Sequence, residues 1–176
     1  TLDTLFMGAE RQSLREHAAR LTEAGIPDDL ADRATRLMYS FGLLDVVEVA
    51  ATCDREVAEV AGIYFVLSER FRVDHLLSKI SELPREDRWQ TLARMALRYD
   101  LYAALAALTT EVLVSTASDA SAEDRVSQWE QANATAILRA RNAISEFAES
   151  GADLAALSVL LRQIRTLVRT SSAAAT

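Results

Sequence analysis

Apolar residues recur at steps of three and four along nearly the whole chain and nowhere alternate strictly with polar ones, so the pattern predicts helices and no strands. In "SLREHAARLTEAGIP", Leu14, Ala18 and Leu21 share one face, and Gly25 and Pro27 supply a stop. Pro27 then suits the first turn of a second helix, with Asp28, Asp29 and Asp32 near its positive end and Gly42 at its predicted end. Asp54 reads as the N-cap of a third helix, "REVAEVAGIYFVLSERF", whose apolar residues cover more than one face and make it central. A short segment over 74–83 follows, closed by Pro84, which pushes the residue before it out of the helical region.

Beyond that turn, 84–87 reads as the acidic first turn of one long helix that reaches about Val114. Trp89, Leu92 and Ala96 lie along one stripe, and Tyr102, Leu105, Leu108 and Val112 continue the apolar surface. Trp89 is therefore expected to be a buried anchor that packs the Pro84 turn against the rest, and its truncation to alanine to lower thermal stability strongly. The stretch "STASDASAED", residues 115–124, is small, polar and without period, and predicts an internal loop in which Ser121 and Asp124 form a capping box with the shorter acid. A further helix carries Val126, Trp129, Asn133, Ala136, Ala140, Ile144 and Phe147 and ends at Gly151. The last repeats the pattern with Leu154, Leu157, Leu161, Ile164 and Val168 before a frayed tail over 171–176. The expectation is an all-α, antiparallel multi-helix bundle forming a single domain over 1–176.

Composition narrows the function classes. The chain has 176 residues, long enough to bury most of its apolar surface without disulfides or metals. No apolar run approaches the roughly 20 residues of a membrane span, so no membrane is expected. A net charge of -7 speaks against nucleic acid, because phosphate binding needs clustered cations. Cys53 is the only cysteine, which excludes an internal disulfide and suits a reducing, cytoplasmic setting. The N-terminal "TLDTLFMGAE" has neither a signal core nor an initiating methionine, and is expected to be an internal point of a longer polypeptide.

Candidate chemistry is sparse. "DDLAD", Asp28 to Asp32, has the spacing of a magnesium-diphosphate motif, yet acids in a first turn after proline are favoured for structural reasons alone. His17 and His75 have no second ligand at metal spacing, and Cys53 reads as a small apolar side chain rather than a nucleophile. Asn133, inside an apolar seam, reads as a register-fixing amide, with Asn133→Leu expected to keep or raise stability. Arg162, Arg165 and Arg169 form a basic edge, suited to an acidic partner surface or to a solvated helix end. The five glycines are isolated and Lys79 is the only lysine, so no phosphate loop or catalytic apparatus can be assembled from these residues. Catalytic, cofactor-binding and metal residues are thus expected to be none. Pro84, Trp89, Trp129, Asn133 and the three arginines remain as structural or interface candidates.

Over residues 83–113, the combination Leu83-Pro84, Arg88-Trp89, Leu92-Ala93-Arg94, Ala96-Leu97-Arg98, Asp100-Leu101 and Leu108-Thr109 resembles the C-terminal helical region of the large bacterial NAD-specific glutamate dehydrogenases. The upstream "IYFVLSERFRVDHLLSKI" is similar to the preceding segment of that family, and Tyr99 departs from it, since an acid is usual there. The resemblance, strongest over 60–114, implies a parent enzyme that converts L-glutamate, NAD and water to 2-oxoglutarate, ammonium and NADH. It places the catalytic lysines, the aspartate and the NAD-binding glycines upstream of Thr1, and no position here matches them. It also implies a homo-oligomeric parent, in which this bundle contacts its own catalytic domain, a neighbouring subunit, or both. A free-standing helical interaction or oligomerisation protein is the alternative.

Overall fold

The computed structural model describes residues 8–149 and 153–174. Among them are eight helices and no strand, the expected all-α class: α1 (Gly8–Glu23), α2 (Asp28–Cys53), α3 (Val57–Arg70), α4 (Val73–Glu82), α5 (Arg88–Ser115), α6 (Ala122–Ala132), α7 (Ala134–Glu149) and α8 (Leu154–Ala174). Among the described residues, each helix touches the next along the chain. The long α5 is the hub, touching α2, α3, α4, α6 and α8. Leu101, Leu108 and Val112 of α5 meet Ile63 and Leu67 of α3, Leu76 of α4, Trp129 of α6, Ile144 of α7 and Leu157 of α8 in one continuous core. α1 packs principally on α2.

The ends of the helices follow from their caps. Gly25 at φ 90 closes α1: its N–H donates to Thr22 O and the N–H of Ile26 to Leu21 O, the paired bonds of a Schellman motif. Ser121 caps α6, its hydroxyl accepting from the N–H of Asp124 and donating to the Asp124 carboxylate, as the sequence predicts. α5 begins later than expected, at Arg88. Asp87 is its N-cap, accepting from Gln90 N–H at 2.8 Å, while the Gln90 side chain accepts from Glu86 N–H, so 84–87 is a capping segment and not a first turn.

Three further expectations change. α2 does not stop at Gly42, because Leu43, Val46, Val49 and Ala50 carry its buried face eleven residues further, to Cys53. Gly42 serves a different need: a Cβ there would lie 3.0 Å from the Tyr64 hydroxyl oxygen of α3. Asp54 is not the N-cap of α3 but the left-handed C-cap of α2, at φ 52. Finally, the single helix expected over 121–150 is two helices, broken at Asn133, while its predicted end at Gly151 lies outside the described residues.

Candidate functional site

At about 100° per residue, Leu92, Met95 and Tyr99 point away from Leu97, Leu101 and Leu108, so α5 has a second apolar face opposite its buried one. Met95 is 63% exposed and Tyr99 74%. This face and α2 enclose a groove of about 610 Å³. Its floor is Ala103, Ala106 and Ala107, its α5 rim Met95, Arg98 and Tyr99, and its α2 wall Leu44, Asp45 and Glu48. Burial raises the Asp45 carboxyl above its ordinary range, and the neighbouring Glu48 charge adds to that.

Trp89 corrects the sequence reading. It is 75% exposed, with the Arg88 guanidinium 6.0 Å from its ring centre, and it extends the Met95 stripe toward the start of α5 rather than anchoring the core. The turn at Pro84 is held instead by the buried Leu83 and by Arg94, which donates to Ile80 O at 3.2 Å and Ser81 O at 2.9 Å. Those carbonyls end α4, where a cation also meets the negative end of the helix. Pro84 itself is exposed. Trp129 is fully buried in the core. Asn133 lies half-buried at the α6–α7 break, its amide donating to Trp129 O at 2.9 Å, so it ends a helix where a seam position was expected.

The basic edge divides. Arg165 pairs with Asp100 of α5 at 3.1 Å, Arg162 is exposed beside it, and the Arg169 side chain lies outside the described residues, as does that of His17. His75 is half-buried on α4, and Cys53 packs against the core edge.

Sequence reasoning missed Arg125. Its side chain is 1% exposed and donates to Thr116 Oγ1 at 2.9 Å, to Leu113 O at 3.1 Å and to the Glu59 carboxylate. One guanidinium thus ties α6 to α3 and to the end of α5. The available signal was an arginine in the first turn of α6, where the helix dipole opposes a cation unless anions hold it. Glu130 makes a second clasp, reaching Arg141 of α7 and, at 3.7 Å, Arg70 of α3.

Among the described residues, Gly25, Gly42 and Gly62 form no phosphate-binding loop. Gly42 and Gly62 lie inside helices, where their missing side chains admit Tyr64 and Ala122, and Gly25 precedes an α2 first turn carrying Asp28 and Asp29. Carboxylates at that position repel a pyrophosphate. Asp28 also accepts from the Thr22 hydroxyl at 2.9 Å, and no cluster of three potential metal ligands occurs among the described residues.

These features define an all-α bundle in which Arg94, Arg125, Glu130 and Arg165 link helices and whose exposed apolar face lies along α2 and α5. The chain matches the family described as "Glutamate dehydrogenase, C-terminal" over residues 1–166, and it belongs to that family. It is 41% identical over 165 residues to the NAD-specific glutamate dehydrogenase of Mycobacterium tuberculosis, covering 93% of this chain and 10% of that protein. To the NAD-specific glutamate dehydrogenase of Pseudomonas aeruginosa it is 30% identical over 171 residues, covering 97% of this chain and 11% of the relative. With that of Halomonas elongata it shares 25% identity over 122 residues, covering 69% and 8%. The chain spans about a tenth of the length of the first two relatives.

Proposed function

We propose that this chain is the helical end of an NAD-dependent glutamate dehydrogenase and supports the enzyme by packing or assembly, with no chemistry of its own. The observation that carries the reading is the family match over 1–166 to one small part of much longer dehydrogenases. The parent reaction oxidises L-glutamate with NAD and water to 2-oxoglutarate, ammonium and NADH, in the cytoplasm and in a homo-oligomer. NAD and glutamate are bound elsewhere in the parent. This domain covers apolar surface of the catalytic domain or of a neighbouring subunit.

The test has two arms. The purified chain gives no heat of NAD binding in calorimetry and no glutamate-dependent NADH formation. Removing it from the parent lowers the oligomer mass in solution or the melting temperature, and activity through them. Turnover by the chain alone, or a parent unaffected by its removal, overturns the reading.

A further inference from the structure

The α2–α5 groove has no occupant among the described residues, and its shape selects one. On α5, Met95, Arg98, Tyr102, Ala106 and Thr110 follow each other at steps of three and four, so one face lines it for about 22 Å. Alanines on the floor let another helix approach closely, since the distance between packed helices is set by the side chains at their contact. The rim is the reverse of the floor: Leu44, Met95 and Tyr99 are large and exposed, and Leu92 and Trp89 prolong them. A small-residue floor between large apolar rims is the form in which an amphipathic helix is recognised in a groove, and methionine adapts to such a contact.

Charge narrows the occupant further. Asp45 and Glu48 stand nearly one turn apart on the α2 wall against the single guanidinium of Arg98. Asp45 Oδ2 and Arg98 Nε are buried without a hydrogen-bond partner among the described residues, so the groove carries unsatisfied polar atoms beside its alanine floor. A cation laid along α2 offsets the Asp45–Glu48 repulsion. About nine-tenths of the length of the relatives lies outside the matched region, and a segment tethered on the same polypeptide binds at high effective concentration.

We propose that the α2–α5 groove seats an amphipathic helix of the parent polypeptide, from outside residues 1–176 of the same subunit, with its apolar face on the alanine floor and a lysine or arginine facing Asp45 and Glu48. The proposal rests on the reading of the chain as one part of a longer dehydrogenase. It is tested in the full-length parent with photoreactive benzoylphenylalanine placed at Met95, and in a control at Val114, also exposed but outside the groove lining. The expected product from position 95 runs at the mass of one subunit and maps to one helix beyond this chain that carries a basic residue. Position 114 does not give that peptide. Asp45→Lys lowers the position-95 yield roughly tenfold, the effect of replacing one favourable charge contact by repulsion, with a retained cooperative melting transition showing that the variant is folded.

Three results overturn the assignment: a product of twice the subunit mass, which identifies a second copy or a neighbouring subunit; a peptide with no basic residue; or no cross-link at position 95. If removal of the whole domain weakens assembly while position 95 gives no intramolecular product, the supporting role stands and the groove assignment fails. If neither effect occurs, both fail.

Discussion

Arg125 carries a full charge and is buried, whereas Trp89 carries the largest apolar side chain type and stands in water. Each placement has a local cause. Thr116, Leu113 and Glu59 satisfy the guanidinium from three directions, while Trp89 falls beside the outward face of α5. Removing one partner of a buried ion pair costs more than truncating an exposed ring. Arg125→Ala is therefore expected to lower the unfolding free energy by about 3–5 kcal/mol, and Trp89→Ala to change it by no more than about 0.5 kcal/mol. Urea midpoints at unchanged slope read both. Asp45 gives a second expectation. Its folded-state pKa lies above the ordinary value of 3.8, from burial first and Glu48 second, so the ionised form costs stability in the fold. The penalty is absent below the unfolded pKa and develops as pH rises through the folded one. Asp45→Asn should raise the melting temperature at pH 7 and lose that advantage as pH falls below about 4, the ordinary carboxylate range. A gain that persists at pH 3 would assign the effect to something other than ionisation.

At the scale of elements, periodicity finds a helix but does not say which of two apolar faces will be buried. α5 shows this plainly: Leu97, Leu101 and Leu108 on one side and Leu92, Met95 and Tyr99 on the other both recur at helical steps, and only tertiary contact with α3, α6 and α8 chooses between them. Caps were legible where side chain and backbone agree, as at Gly25 and Ser121. They were misread where a residue serves the opposite end, as Asp54 does for α2. The α6–α7 break escaped notice because Trp129 and Ile137 keep their spacing across it, and Asn133 O accepts from the N–H groups of both Ala136 and Ile137. With the Asn133 amide bonded to a backbone carbonyl at the end of α6, the sequence expectation for Asn133→Leu reverses. That variant should lower stability by about 1 kcal/mol, the net value of a hydrogen bond of this kind. Unchanged thermal stability would show the bond to be dispensable.

For the molecule as a whole, the fold class and most of the core could be read from the chain, because both depend on local period and on total apolar content. The groove could not: it is a relation between α2 and α5, and no stretch of sequence contains it. Arg125 was hidden for the same reason, since Glu59 stands 66 positions away. The hub position of α5 carries one more consequence. Its residues are gripped by five neighbouring helices, whereas α1 leans mainly on one. Opening α1 therefore forfeits little beyond its contacts with α2, while opening α5 forfeits packing against α2, α3, α4, α6 and α8 at once. Backbone amides should then form a ladder of protection against exchange with solvent, α1 on a low rung and the middle of α5 at the free energy of global unfolding. A partner that bound α2 equally well with α1 open or closed would leave the rung of α1 where it is, so a raised rung would mark a partner that reaches α1 itself.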